Sequence, residues 1–343
     1  MDHLAGVLPA GILLIFDHGR LGVPIFFVLS GFVIAHSVSR YRVDLPFVGR
    51  FILRRSIRLD PPYWFSIAVV IGFGVLSRAI NPAKLYSPPT AGRFGAHLLY
   101  IYPFLGYPDI NPVYWTLVME VQFYLIFCLL MWPAHSTRRD ADDRRSLYLI
   151  FGPALLLSAA WPLGIIRSPI WPGLFLQFWY GFLLGMLVCW VKNGTVGWGW
   201  FLGYAALVGA GAVRDPDPFA GACVATSVLL LLAVRTGGLG RWLRWRWLQS
   251  LGLISYSLYL LHNPITGAFY NVAFRITGRS PAMEAACLPP LIAANVAGAA
   301  AIWWLVERPS LAMAHRLRLS PPPTPAARPE NPPDGPATRH AGC

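Results

Sequence analysis

The sequence predicts an all-α protein, a polytopic bundle of transmembrane helices with about nine spans. Three observations predict it. Of 343 residues, 56% are hydrophobic and 13% charged, and the mean hydropathy is +0.52, which is too apolar for a soluble domain. The apolar residues gather in runs of about 17 to 25, the length that crosses a hydrocarbon core of roughly 30 Å. The basic residues gather in short arginine clusters between those runs. The net charge of +13 therefore reads as orientation signals and phosphate ligands, with no continuous basic face for nucleic acid.

Taken in order, the spans are expected at about 20–38, 61–79, 112–133, 147–163, 170–192, 198–213, 219–235, 248–268 and 284–306. Residues 95–107 are apolar but too short to cross, and fit a re-entrant or interfacial segment. Residues 1–19 form an outer N-terminal segment, 20–310 the transmembrane domain, and 311–343 a polar, proline-rich tail expected to be disordered and cytoplasmic. The segment 39–60 carries Arg40, Arg42, Arg50, Arg54, Arg55 and Arg58; 134–146 carries Arg138, Arg139, Arg144 and Arg145; 236–247 carries Arg241, Arg244 and Arg246. Two spans and then four separate them, so all three face one side, which the positive-inside rule makes the cytoplasm. The same parity puts the N-terminus outside, although it shows neither a basic n-region nor a cleavage site. One missing first helix repairs this, so ten spans are expected in the full-length protein.

Cys128, Cys189, Cys223 and Cys287 lie inside apolar runs and Cys343 ends the chain, with no metal-ligand spacing. Neither disulfides nor a metal are expected. Tryptophans such as Trp161, Trp171 and Trp198 fall near predicted interfaces, as aromatic belts do. The run Arg241–Trp247 alternates charge with tryptophan and reads as a headgroup anchor.

Ionisable residues at membrane depth are functional candidates by default, because each is costly unless paired or hydrated. Arg54, Arg55 and Arg58 share one helical face, where they either clamp an oligophosphate bidentately or merely anchor the span. Glu120, in the run Asn111–Phe127, is either a functional carboxylate or half of a structural pair. His262, in the run Ile254–Pro264, is either a working imidazole or an interfacial one bonded to a carbonyl. Counting from the span ends puts Glu120 and His262 at similar depth. Glu307, before Arg308-Pro309, is explained by a surface ion pair, or by a carboxylate that positions the arginines.

Five stretches together resemble the acyltransferase 3 family of membrane acyltransferases. They are Leu21-Gly22-Val23 with Phe26–Phe32; Arg54-Arg55 and Arg58 leading to Pro62 and Trp64; Trp115-Thr116-Leu117 with Glu120 and Phe123-Tyr124; Ser255-Tyr256-Ser257 with Tyr259 and His262; and Glu307-Arg308-Pro309. The resemblance implies an enzyme that moves an acyl group, acetyl being expected, from acyl-CoA to a hydroxyl of a carbohydrate or similar acceptor. It implies that Arg54, Arg55 and Arg58 bind the donor's phosphates and that Glu120 and His262 line the acceptor side. It also implies a plasma-membrane location, bacterial inner membrane, with membrane lipids around it and no nucleic-acid partner. Two positions depart from the family pattern. Pro24 stands where an acid is usual, and the first helix, with an arginine and a catalytic histidine, has no counterpart. His3 falls about where that histidine is expected, and His18 lies in the following loop. A carrier or flippase of an anionic or glycosylated lipid, and an inactive member of the family, are the competing readings.

Overall fold

The computed structural model describes residues 18–80, 86–136, 145–278 and 280–319, with positions 9, 11 and 13 before them. The helices are α1 (Gly22–Val38), α2 (Leu45–Ile80), α3 (Ala91–Leu98), α4 (Tyr114–Ser136), α5 (Arg145–Ala159), α6 (Trp179–Lys192), α7 (Trp198–Arg214), α8 (Pro218–Arg235), α9 (Arg246–Thr277), α10 (Pro281–Ala286), α11 (Leu288–Ile302) and α12 (Arg308–Arg316). No strand occurs among the described residues. Each of the predicted spans overlaps a helix, although 170–192 is helical only from Phe175 onward and 284–306 runs across α10, α11 and the turn after it. Six stretches are long and apolar enough to cross a membrane: Gly19–Val38, Leu45–Ile80, Tyr114–Ala134, Phe175–Lys192, Pro218–Arg235 and Leu288–Arg316.

The core is built around α6, which is apolar all round, as a helix enclosed on every side must be. Every residue from Trp179 to Val191 is buried. It meets α1 backbone to backbone: a Cβ on Gly185 would lie 1.8 Å from the Val28 carbonyl oxygen, and one on Gly31 would lie 2.0 Å from that of Phe182. Only glycine permits such an approach, and close packing of this kind substitutes in lipid for the missing hydrophobic drive between helices. Phe182 then stacks between Phe27 of α1 and Phe123 of α4, with ring centroids 4.4 and 4.3 Å apart. Three helices are thereby locked around one ring.

α2 corrects the expected boundary. The sequence places Arg54, Arg55 and Arg58 in the segment 39–60, before a span starting at 61. Instead one helix of 36 residues runs through both prolines. Lacking N–H groups, they leave the Ile57 and Arg58 carbonyls without their usual partners, so the arginine row sits on a helix loosened at that point.

Residues 86–113 fold back into the bundle as a re-entrant hairpin with α3 on its descending arm. Tyr86 packs against Gly74 on the outer half of α2. Further along, Tyr63 Oη donates to the His97 carbonyl at 2.9 Å and Trp64 Nε1 to that of Leu98 at 3.3 Å. α2 continues about 24 Å beyond Trp64, so the hairpin tip lies well inside the helix ends. Its staple is His97, which has 0% exposure. Its Nε2 accepts from the Ile110 N–H at 3.1 Å, which leaves Nδ1 to donate to the Arg93 carbonyl at 2.8 Å. Burial holds this imidazole below its ordinary value of 6.5, which keeps it in that neutral tautomer.

Proline chemistry also fixes the hairpin's return. Pro264 inside α9 cannot donate to the Leu260 carbonyl, and Asn111 Nδ2 takes that place at 3.1 Å. At the opposite end of the bundle, the Arg235 guanidinium lies 3.7 Å from the Trp198 ring centroid. Arg40, Ala134, Leu147 and Lys192 border one cavity there. The ends of α1, α4, α6 and α8 and the starts of α5 and α7 therefore meet on one side, the arginine-rich side.

Candidate active site

Glu120 lies in the apolar run of α4 and is 6% exposed. An isolated carboxylate there would be untenable, and the fold surrounds it with partners. Ser30 Oγ of α1 donates to Oε1 at 3.1 Å, and Tyr124 Oη, one turn along α4, donates to the same oxygen. The guanidiniums of Arg55 and Arg58 lie close enough to act on the carboxylate electrostatically. Arg55 stands 5.1 Å from the Tyr124 ring centroid and 5.4 Å from that of Phe51, so aromatic faces hold it on both sides. Arg54 is half-buried and Arg58 exposed.

A second carboxylate reaches the same cluster from the end of the chain. α11 and α12 are joined by a π-helical turn, Trp303–Glu307. Such a turn shifts the helical register by a residue and re-aims the side chains beyond it. Glu307 is 7% exposed and accepts from Ser257 Oγ of α9 at 2.5 Å. Arg58 acts on it electrostatically. Of the two readings the sequence offers, the buried position favours a carboxylate near the arginines over a surface ion pair, the π turn carrying Glu307 inward. Asp60 completes the ring, accepting from Tyr100 Oη of the hairpin at 2.9 Å and from Ser56 Oγ. Arg58 therefore acts on carboxyl groups from two distant parts of the chain, Glu120 and Glu307.

His262 belongs to a second station nearer the hairpin. Its Nδ1 meets the Tyr259 carbonyl at 2.8 Å. A carbonyl only accepts, so Nδ1 carries a proton, and no described residue bonds to Nε2. The carbonyl-bonded reading from sequence describes one ring nitrogen and leaves the other available to a substrate. Tyr259 ties this station to the first: its Oη lies 2.5 Å from Thr116 Oγ1 and donates to the Val113 carbonyl at 2.9 Å. Thr116 is one turn, about 6 Å, above Glu120. Asn263 Nδ2 donates to Asn111 Oδ1 at 3.3 Å, fixing the hairpin beside the histidine.

Glu120 is in this way brought to the arginine row directly and to His262 through Tyr259 and Thr116. His3 lies outside the described residues. His18 is exposed at the start of the first described turn. Sequence reasoning missed Ser30, Ser257 and Asp60 as partners of the charged groups. Ser30 and Ser257 both stand in stretches already singled out, but a serine in an apolar run announces no partner. Chemically, the arrangement offers guanidiniums for anionic groups, a buried carboxyl group with fixed hydrogen bonds, and an imidazole with one ring nitrogen free of described partners.

Residues 2–305 match the acyltransferase 3 family, described as an acyltransferase domain. ExoZ of Rhizobium meliloti, an exopolysaccharide production protein, is 27% identical over 319 residues, covering 89% of this chain and 93% of that protein. BcsY of Komagataeibacter xylinus is 28% identical over 76% of this chain and 70% of its own length. The peptidoglycan O-acetyltransferase OatA of Listeria monocytogenes is 29% identical over 45% of this chain and 24% of its own length. No solved structure matches.

Proposed function

The chain belongs to the acyltransferase 3 family and is an enzyme that transfers acyl groups; from that premise we propose that it moves an acyl group, acetyl in the simplest case, from acyl-CoA to a carbohydrate hydroxyl. The observation that carries this reading is the buried Glu120 held by Ser30 and Tyr124 beside Arg55 and Arg58. Membrane proteins keep so many ionisable groups at depth only for use. The carbohydrate acceptor is supported by the relatives, one producing exopolysaccharide and one acetylating peptidoglycan. The arginine-rich end is cytoplasmic on this reading, where acyl-CoA is available.

The donor's pyrophosphate meets Arg54, Arg55 and Arg58, whose planar guanidiniums suit oligophosphates. Glu120 and Glu307 hold that row in place and prevent it from closing on itself. The acceptor hydroxyl is far too weak an acid to attack unaided, so a neutral imidazole takes its proton as the oxygen–carbon bond forms. The carbon–sulfur bond then breaks, and the proton passes to the departing thiolate. His262 Nε2 is suited to that transfer, and His3 is the other candidate from sequence.

The test is Arg58→Ala in membranes, assayed with labelled acetyl-CoA and the cell's own surface polysaccharide. Transfer is expected to fall at least about 100-fold while the protein inserts at the normal level. Full transfer by that variant would remove the arginines from donor binding.

A further inference from the structure

At the arginine-rich end, a cavity of about 430 Å³ opens where α1, α4, α5 and α6 meet. That is within the roughly 300–1,000 Å³ typical of small-molecule pockets. Its polar lining is one-sided in charge: Arg40 and Lys192 contribute two full positive charges, with His36, Asn193 and Thr195 between them and Trp190 alongside. No acidic residue borders it among the described residues. His36 Nδ1 is buried and makes no hydrogen bond among the described residues. The His36 ring is stacked near Phe32, and the Lys192 ammonium lies 5.9 Å from the same phenylalanine. Among the described residues the lining pairs two cations with an indole and no acid, a combination that suits a phosphorylated aromatic ligand.

The cavity also lies in line with the site already described. Phe127 and Met131 of α4 border it, Tyr124 beneath Arg55 comes one turn before Phe127, and Glu120 one turn before that. Ser30, which holds Glu120, and His36 follow one another along α1. From Met131 to Thr116 the path covers about 22 Å of helix. Along it come, in order, the cationic cavity, the arginine row, the buried carboxylate and the histidine station.

We propose that this cavity seats the nucleotide end of the donor, with Arg40 and Lys192 holding the ribose 3′-phosphate of coenzyme A and Trp190 beside the adenine. This rests on the reading of the donor as acyl-CoA. The pyrophosphate then falls at Arg54–Arg58 and the pantetheine arm runs along α4 toward Thr116 and His262. Two separate anionic groups on the donor thus meet two separate cationic stations.

The discriminating probe is dephospho-coenzyme A, which lacks only the 3′-phosphate. Calorimetric titration of the purified full chain in phosphatidylcholine nanodiscs should give at least about tenfold tighter binding of coenzyme A than of dephospho-coenzyme A. In the Arg40→Ala/Lys192→Ala variant the two affinities should converge, with the dephospho form bound as in the parent. Retained discrimination in that variant would overturn the proposal. So would a variant that differs only in losing affinity for phosphatidylglycerol nanodiscs, since the cavity would then serve a lipid headgroup. If the parent binds neither nucleotide, the acyl-CoA reading itself fails, and that outcome is distinct from either of the others.

Discussion

α6 and α2 are both apolar enough to cross a membrane, yet they are used in opposite ways. Of the most apolar stretch of Phe175–Lys192, 78% is enclosed by protein, against 17% for Leu45–Ile80. α6 carries no ionisable residue of the acidic or basic kind before its terminal Lys192, and its glycines admit another backbone. α2 carries the arginine row and Asp60, and its two prolines leave carbonyls open there. α4 lies between them, with Phe123 packed on α6 and Tyr124 under the Arg55 guanidinium. Packing and chemistry are thus assigned to different helices, and adjacent residues of α4 join them. A substitution should accordingly cost folding on one side of that seam and turnover on the other.

The largest effect is expected at the α1–α6 contact. A Cβ on Gly185 would meet the backbone of Val28, which no rotamer change relieves, so Gly185→Leu should cost about 3 kcal/mol or more. Monodisperse protein recovered from membranes should be nearly lost, and recovery at the parental level would break the division drawn above. Next in size is Glu120→Gln, which keeps the oxygen that accepts from Ser30 and Tyr124 but removes the charge. Turnover should fall about 100-fold with unchanged recovery and monodispersity; loss of the fold instead would make Glu120 a structural residue. The smallest effect concerns the hairpin staple. His97 is held below its ordinary value of 6.5, so the unfolded hairpin binds the proton more readily. Its stabilisation is complete above about pH 6.5 and declines as the pH falls toward the folded value. The protection factor of the Ile110 amide should decrease over that acid range, and a flat profile would remove His97 as the staple.

Much of the fold was legible because apolar run length is a direct consequence of bilayer thickness. That residues 95–107 form no crossing helix was legible for the same reason, the apolar run being too short. Helix continuity was not: the segment 39–60 was read apart from the span that follows, whereas α2 runs unbroken from Leu45 through Pro61-Pro62. Glu120 and the arginines stood out because charge at depth is expensive. Their meeting was obscured by depths counted from span ends, whereas the hairpin and the long α2 shift the levels at which helices face one another. Glu307 was read level with the arginines, but its burial was not legible, because nothing in Trp303–Glu307 announces a π turn. Asp60 is held by Tyr100, 40 positions away, as well as by the nearby Ser56, and Ser257 meets Glu307 50 positions away.

The bond from Asn111 to the Leu260 carbonyl joins residues 149 positions apart, and this bears on how the protein is made. During synthesis the hairpin reaches the membrane long before α9 exists. At about 5–20 residues per second, Asn111 waits roughly 7–30 s for its acceptor. Through that interval the Asn111 side chain keeps its local bond from the Val113 N–H, while the Leu260 carbonyl that Nδ2 will meet does not yet exist, and an unmet donor is one that lipid penalises. The re-entrant segment is therefore an early-made but late-settled part of the protein. Any chain released before residue 260 should present it in an unfinished state, open to membrane quality control.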